Sequence, residues 1–306
     1  MHIPVGCLSL LVGCLVLQAQ SPAQTGRPRF VASADAVGID VLVTDARGPV
    51  RGLTSSDFRL SDNGIRQTVT VVSATDLPLM VSLVVDTSES VAGPILPRLT
   101  AAARTLLGKL TPQDRVTVLT AADVVASSAI APSGAAVDGL QHLTAAGGTR
   151  LFDAVWAALQ MINVPPSSTP QRAMLVVFSD GRDTTSWFDA DVARAQLDRS
   201  QAVVFAVSVP PLQLDPASAS EWSRAARLPD LKFLQSLTDA SGGRLFLARG
   251  QKELSSALDG ALADMRSRYV LYYQPSGVTR EGFHTVDVSV NRRHAQVRAR
   301  RGYAVP

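Results

Sequence analysis

The sequence predicts an α/β fold in which a doubly wound, mostly parallel sheet is covered by helices on both faces. Three nearly continuous apolar runs of strand length support this prediction: Met80–Val85, Ala173–Phe178 and Ala202–Val207. Such runs are typical of strands that are buried on both faces, as in parallel sheets. Segments with helical periodicity lie between and after the runs, and this alternation of strand and helix is the pattern of an α/β domain.

The N-terminal segment predicts export. Residues 1–26 contain no Lys, Arg, Asp or Glu, and the mostly apolar run Ile3–Leu17 is shorter than the roughly 20 residues of a membrane span. We therefore expect a signal peptide over residues 1–23 and a periplasmic or secreted protein. Residues 11–14 also resemble a bacterial lipobox, which would leave Cys14 lipidated, and an uncleaved anchor is the third alternative. Membrane attachment is expected only through this segment.

Cysteine and charge content exclude several kinds of function. The only cysteines are Cys7 and Cys14, so the rest of the chain has neither disulfides nor thiolate metal sites. The 29 basic and 26 acidic residues give a net charge of +3. Because this balance lacks a strong basic excess, no binding to nucleic acid is expected.

Residues 28–77 predict an N-terminal β segment. Apolar side chains alternate along 39–43, as they do in a strand with one buried face. Asp62-Asn63-Gly64 is a strong hairpin signal, and it lies between two expected strands, Phe58–Leu60 and Gln67–Val71.

Residues 78–268 predict the α/β domain itself. Three stripes of apolar side chains at helical spacing predict helices that pack on the sheet. The stripes are Leu96, Leu99, Ala103, Leu106 and Leu110; Leu151, Phe152, Val155, Trp156, Leu159 and Ile162; and Leu254, Leu258, Leu262 and Met265. Residues 115–121 and 124–130 predict a local antiparallel hairpin, and the Pro- and Ser-rich stretch 210–220 predicts a loop.

Residues 269–306 predict a C-terminal β segment. Tyr269–Gln274 is one expected strand, and 284–290 alternates apolar with polar residues like a half-buried strand. Arg298 and Arg300 alternate with apolar residues, which predicts that they lie on a solvated face; binding to an anionic surface is the alternative. We expect the two flanking segments to pack together as one small β module, with the α/β domain inserted between them.

Oxygen donors lie at three separate places in the chain, two directly after expected strands and one before an expected helix. Asp86, Ser88 and Ser90 come directly after the first buried run, Thr149 precedes the second helical stripe, and Asp180 follows the second run. Because ligands of doubly wound sheets bind at the carboxyl ends of strands, these loops are expected to meet. Oxygen donors suit a hard cation, so the five residues predict a site for Mg²⁺, with Mn²⁺ or Ca²⁺ as alternatives.

The charge of this set predicts how the ion is used. Two carboxylates neutralise one divalent cation, and the three hydroxyl ligands are neutral. The bound ion can therefore accept one further carboxylate, from a protein partner, at a position otherwise held by water. Glycines at 147, 148 and 181 allow the backbone to approach closely.

Other side chains flank the expected site. Arg150 and Arg182 could attract an acidic partner, although solvated loop charges are the favoured interpretation. Glu89 and Asp183 are expected to face solvent. Trp187 is either an exposed contact residue or a core anchor.

Taken in order, Asp86-x-Ser88-x-Ser90, Thr149 and Asp180 resemble the metal-ion-dependent adhesion site (MIDAS) of the von Willebrand factor A (VWA) domain. The resemblance implies a Rossmann-like fold, metal contacts from the serines and the threonine, and aspartates that act directly or through water. The flanks are similar to a bacterial family named for acidobacterial VWA-related proteins, over about residues 30–303. The segments that carry this similarity are 43–45, 52–58, 62–64, 269–273, 282–284 and 298–303.

These features predict an exported, non-enzymatic binding or adhesion module that holds a divalent cation and binds an Asp or Glu carboxylate of a protein partner. Two alternatives stay open at this point. The first is a structural component of a cell-envelope assembly whose metal only stabilises the fold. The second is a metal-dependent hydrolase with Glu89 or Asp183 as general base, although the sequence has no recognisable catalytic motif.

Overall fold

The structure, a computed structural model, describes residues 36–75, 77–162, 171–208, 229–248 and 250–305. The expected signal peptide with Cys14, and the expected loop over 210–220, lie outside these residues. Within them, no helix has both the length and the apolar character that crossing a membrane requires.

The strands and helices are numbered along the chain. The strands are β1 (Val37–Asp45), β2 (Gly48–Pro49), β3 (Phe58–Asp62), β4 (Ile65–Gln67), β5 (Thr70–Ser73), β6 (Leu79–Asp86), β7 (Arg115–Ala121), β8 (Val125–Ser127), β9 (Ala131–Pro132), β10 (Arg172–Phe178), β11 (Val203–Ser208), β12 (Arg244–Leu247), β13 (Tyr269–Tyr273), β14 (Gly282–Val290), β15 (Gln296–Ala299) and β16 (Gly302–Val305). The α-helices are α1 (Ile95–Leu107), α2 (Ser133–Gly139), α3 (Leu151–Ile162), α4 (Ala190–Asp198), α5 (Pro229–Ser241) and α6 (Gln251–Arg266).

A mixed, mostly parallel sheet forms the centre of the structure. Its strands lie in the order β12-β11-β10-β6-β7-β8, and β9 adds to β7. The strands from β12 to β7 are all parallel, whereas β8 and β9 pair antiparallel with β7. Every residue of β10 and β11 is buried, as the apolar runs predict. The predicted fold class is confirmed.

Helices cover both faces of this sheet. The apolar sides of α1, α2 and α6 share one core with side chains from one face, and those of α3, α4 and α5 share another. Val81, Leu83 and Val85 of β6 point into the first core, whereas Val84 points into the second. This alternation is the period of two that a strand imposes on its side chains.

The connections create a crevice at the end of β6. From β6 the chain passes to β7 on one side, and it later crosses to β10 on the other side of β6. The loops that follow β6 and β10 therefore leave the sheet in different directions. Ligands of doubly wound sheets bind at such a switch point.

Strands from before and after the α/β domain pair with one another. One antiparallel sheet has the order β15-β1-β13-β5, and the second has the order β16-β14-β3-β4. In the first, Ile39 of β1 lies opposite Leu271 of β13. In the second, Leu60 of β3 lies opposite Val288 of β14. The two sheets share an apolar core, as expected of a β module built from both flanks.

The hairpin at Asn63-Gly64 forms as predicted, but the strand after it does not. Asn63 and Gly64 have φ of 47° and 79°, which are the left-handed values that a two-residue hairpin turn of type I′ needs. The expected single strand Gln67–Val71 is wrong, because β4 ends at Gln67 and β5 begins at Thr70 in the other antiparallel sheet. The chain uses these residues to cross between the two layers.

A buried polar cluster joins the N- and C-terminal strands. Asp62 accepts hydrogen bonds from Tyr273 Oη (2.9 Å) and Tyr303 Oη (2.8 Å), and His284 Nδ1 lies 2.8 Å from its other oxygen. Burial raises the pKa of Tyr303 to about 12 and also raises the pKa of Tyr273 above its ordinary value. All four side chains are buried, and their hydrogen bonds link strands from both flanks.

The prediction that Arg298 and Arg300 lie on a solvated face is wrong for Arg300, whereas the Arg298 side chain is 36% exposed. Arg300 is buried, and its guanidinium donates to the carbonyl oxygens of Gly302 (2.7 Å) and Ser200 (2.7 Å). Arg298 donates to Asp264 Oδ2 at 2.9 Å. Both arginines hydrogen-bond to the α/β domain. The polar face that the alternating pattern predicts for this strand therefore lies at the interface between the β module and the α/β domain.

Candidate metal site

Asp86 is the last residue of β6 and lies at the centre of the candidate site. Its side chain is fully buried. One carboxylate oxygen accepts hydrogen bonds from Ser88 N (2.9 Å) and Ser88 Oγ (2.6 Å), and the other accepts from Ser179 Oγ (2.8 Å). These three bonds fix the orientation of the carboxylate without any cation.

A line of hydroxyl groups leads from Asp86 to the surface. Ser88 Oγ lies 3.0 Å from Ser90 Oγ. Ser88 is buried, whereas Ser90 is exposed. The predicted donors of this loop therefore form a short polar path that opens to solvent at Ser90.

Hydrogen bonds between backbones hold the three predicted loops together. Ala146 N donates to Thr87 O (2.9 Å), and Glu89 N donates to Gly147 O (3.0 Å), which joins the first loop to the second. The second loop is joined to the third by Thr149, whose carbonyl oxygen accepts from the N–H groups of 184 and 185. Thr149 is buried where these loops meet.

Asp180 brings a second negative charge to this cluster. It is mostly buried, and Arg182 N donates to its Oδ1 at 3.0 Å. Burial raises the pKa of Asp86 above its ordinary value, and the charge of Asp180 raises it further, against the opposing effect of the hydrogen bonds from Ser88 and Ser179. Two buried carboxylates that repel each other are stabilised by a cation placed near both.

The donor chemistry fits a hard cation. In the described ranges, no three His, Cys, Asp or Glu side chains converge into a metal-binding group. Asp86 and Asp180 offer carboxylate oxygens, and hydroxyls and water would complete the coordination of an ion bound there. Such oxygen-rich, partly hydrated coordination suits Mg²⁺. The glycine prediction also fits: Gly147 and Gly181 have φ of 72° and 92°, and a Cβ on Gly148 would lie 2.8 Å from Thr185 Cγ2.

Two residues of the site were not predicted from the sequence. Ser179 precedes Asp180 and bonds Asp86, and Asp123 follows β7 and accepts a hydrogen bond from Gly148 N at 2.7 Å. The sequence signal that could have identified both residues is their position in the chain, because each lies at the carboxyl end of a strand beside β6. Asp123 is exposed, so it adds negative charge to the rim of the site.

The expectation that Asp183 faces solvent is wrong. Its Oδ2 accepts hydrogen bonds from Phe152 N (3.0 Å) and Ser186 Oγ (2.5 Å), and its Oδ1 accepts from Ser186 N (3.2 Å). Asp183 therefore caps the first turn of α3, where a carboxylate satisfies unpaired N–H groups and complements the helix dipole. Glu89 is exposed, as expected.

Of the flanking side chains, Arg182 and Trp187 are exposed, whereas Arg150 is largely covered. The interpretation of Arg150 as a solvated charge is therefore wrong. Its Nη1 lies 3.5 Å from Asp153 Oδ2, and its guanidinium lies over the ring of Trp187. For Trp187, the structure supports the exposed alternative over the core anchor.

A family model described as von Willebrand factor type A domain matches residues 81–182, a stretch that contains all five predicted donors. Among solved structures, the chain is similar to a von Willebrand factor type A protein from Catenulispora acidiphila, with 13% identity, a TM-score of 0.50, and coverage of 83% of this chain and 75% of the other. Among curated proteins, none matches.

Two further structures align with lower TM-scores. The pilus adhesin SpaC of Lactobacillus rhamnosus GG, in an open conformation, has 10% identity and a TM-score of 0.48 over 87% of this chain and 48% of the adhesin. The proximal thread matrix protein 1 of the mussel byssus, described with a zinc-occupied MIDAS motif, has 13% identity and a TM-score of 0.49 over 68% of this chain and 50% of that protein. This chain thus spans about half the length of either. The narrower similarity to the acidobacterial type stays a prediction. Residues 81–182 match the family model of the von Willebrand factor type A domain, and the α/β fold that contains them is similar to that of the solved protein from Catenulispora acidiphila.

Proposed function

We propose that this protein is an exported, non-enzymatic binding module that grips an acidic group of a protein partner through a divalent cation. Asp86, Ser88, Ser90, Thr149 and Asp180 hold the ion, and Mg²⁺ is its expected identity, with Mn²⁺ or Ca²⁺ as substitutes. The observation that carries the proposal is the buried, pre-oriented carboxylate of Asp86, from which hydroxyl groups lead to solvent at Ser90.

The charges around the site support an acidic ligand. Two carboxylates balance a divalent ion, so a partner carboxylate can enter its coordination sphere without facing an excess of negative charge. Arg150 directly follows Thr149, and Arg182 lies two residues after Asp180. Positive side chains this near in sequence to the proposed ligands favour the approach of an anion.

The positions of the two candidate general bases weigh against hydrolysis. Asp183 has both oxygens engaged, Oδ2 with Phe152 N of α3 and with Ser186 Oγ, and Oδ1 with Ser186 N, so it is poorly placed to accept a proton from a metal-bound water. Glu89 is exposed, and its backbone N–H donates to Gly147 O at 3.0 Å. A general base must reach the proton that it removes, and an exposed side chain screened by solvent is poorly suited to this role.

Calorimetric titration with Mg²⁺, Mn²⁺ and Ca²⁺ tests the metal site. We expect saturable binding to the wild-type protein, and we expect Asp86→Asn to weaken it by more than the roughly 10- to 100-fold that loss of a group bonded to a ligand costs. Asp138→Asn, an exposed position on α2, is the matched control and should bind as the wild type does. Circular dichroism on each variant shows whether the fold is retained. Absence of binding by the folded wild-type protein contradicts the proposal.

Thermal unfolding in Mg²⁺ and in EDTA separates the adhesive role from a purely structural one. A bound ion stabilises the fold in either case, because ligands that bind only the native state raise Tm. If the ion serves only the fold, chelation lowers Tm but leaves capture of carboxylate-bearing peptides unchanged. If the ion is the contact, EDTA abolishes capture at temperatures where the protein remains folded.

A further inference from the structure

A large aromatic side chain stands in solvent beside the candidate metal site. Trp187 is 83% exposed, more than any other large apolar side chain in the described residues. Phe188 and Val192, which follow it, are exposed at 38% and 40%. Contiguous exposed apolar side chains on a soluble protein mark a contact surface, and Trp is the residue most enriched at the energetic centres of interfaces.

The backbone that carries Trp187 is rigidly held. Trp187 N donates to both carboxylate oxygens of Asp153 at 3.0 Å, and Phe188 N donates to one of them at 2.9 Å. Asp153 lies in the first turn of α3, which also receives the cap from Asp183. The indole is therefore presented on a fixed backbone, and binding a ligand to it does not require the loop to be ordered first.

Arg150 connects the indole to the metal site. Its Cζ lies 5.7 Å from the centroid of the Trp187 ring, a cation–π distance, and its side chain is only 24% exposed. Arg150 directly follows Thr149, one of the proposed metal ligands. A positive charge and an apolar ring thus lie side by side at one edge of the site.

We propose that Trp187 and Arg150 select the partner: it is a peptide segment in which an apolar side chain accompanies the metal-binding Asp or Glu within a few residues. This inference rests on the proposed function. The acidic group binds the ion, and the apolar group covers the indole. Because Arg150 already lies over the ring, a second cation from the partner would be repelled there, so Lys and Arg are disfavoured beside the acid.

A library of short immobilised peptides tests this, each with a central Asp or Glu and random neighbours. Wild type, Trp187→Ala, Trp187→Phe and Phe283→Ala are compared in Mg²⁺ and in EDTA; Phe283 is an exposed aromatic of β14 and serves as the matched control. In Mg²⁺, wild type should select peptides with apolar neighbours. Trp187→Ala should weaken their binding at least about tenfold, Trp187→Phe much less, and Phe283→Ala not at all.

The outcomes distinguish this inference from the metal proposal. Mg²⁺-dependent binding without apolar preference, or with a preference that Trp187→Ala leaves intact, overturns the inference and leaves the metal site standing. Failure of all peptides to bind also overturns it, and the calorimetric Mg²⁺ titration then decides the metal site separately. If wild type self-associates with rising concentration and Trp187→Ala abolishes this, a second copy covers the indole and the inference is wrong. Unchanged Mg²⁺ affinity of Trp187→Ala confirms that the variant acts on the partner alone.

Discussion

Gly243→Ala is expected to destabilise the protein by more than about 4 kcal/mol, a large part of the roughly 5–15 kcal/mol by which an ordinary domain is stable. A Cβ at Gly243 would overlap the carbonyl oxygen of Val204 and lie 2.7 Å from its carbonyl carbon. Val204 belongs to β11, which is paired on both sides. Its N–H donates a hydrogen bond to Ser241 Oγ at 2.9 Å, which also restrains this part of the backbone. Neither backbone can move away without breaking the sheet.

Gly260→Ala is the matched control for this substitution. Gly260 lies inside α6, and a Cβ there meets only Phe246 at ordinary contact distance, 3.7 Å. Alanine is favoured over glycine in a helix interior, so the variant should gain about 0.5–1 kcal/mol. Urea denaturation followed by circular dichroism measures both variants. Equal midpoints for Gly243→Ala and wild type would show that the packing at Val204 is looser than described.

Asp264→Ala is expected to cost about 3–5 kcal/mol, the usual loss when one partner of a buried ion pair is removed. Asp264 Oδ1 accepts from Arg268 Nε at 3.0 Å, and Oδ2 accepts from Arg298 Nη2 at 2.9 Å. Arg268 is fully buried, and its Nη1 has no hydrogen-bond partner among the described residues. Burial lowers the pKa of Arg268, and the charge of Asp264 is the main force that opposes this. Without Asp264, a buried guanidinium loses that compensation.

Asp259→Ala, on the same helix, is the control for Asp264→Ala. The Asp259 side chain is 49% exposed and pairs with Lys109 at the surface. Exposed pairs contribute little, so we expect a loss of less than about 1 kcal/mol. Guanidinium denaturation of the two variants compares a buried and an exposed carboxylate on one element. Similar losses for both would contradict the assigned role of Asp264 in joining α6 to β15.

These two sites show how the β module and the α/β domain are joined. Gly242, next to Gly243, has φ of 74°, and a Cβ there would lie 2.8 Å from Ala299 Cα of β15. Arg172 at the start of β10 donates through Nε to Asp40 of β1 at 2.8 Å. Arg298 and Arg300 reach from the C-terminal strands to α6 and to the end of α4. The contacts are made by the buried Arg172 and Arg300, by the half-buried Arg298, and by closely approaching backbones.

Much of the α/β fold follows from local sequence patterns. The apolar runs that became β6, β10 and β11 are buried, except for the half-buried Met80, because their neighbours on both sides and both faces are protein. The three helical stripes became α1, α3 and α6, since the spacing of their apolar residues places them on one face. The alternation along β14 likewise predicts its burial, with Val286 buried and Thr285 and Asp287 exposed.

The candidate site was predictable to a lesser degree. The donor residues follow from the ends of strands, because the carboxyl ends of parallel strands meet at one edge of a sheet. The capping role of Asp183 does not follow, because it depends on α3 beginning within reach of a loop that comes after β10. The contact between the Arg150 guanidinium and the Trp187 ring does not follow from the sequence either, because the two residues belong to loops that lie far apart in the chain.

The sequence by itself determined the class of fold, the order of its elements and the oxygen donors at strand ends, because period, burial and residue chemistry act over short stretches of chain. Only the tertiary structure decided which polar residues are buried. Alternation alone predicts a solvated Arg300, yet this residue lies against the carbonyl oxygens of Ser200 and Gly302. The physical reason is that a strand's pattern records which side chains share a face, whereas what covers that face is set by elements far away in sequence.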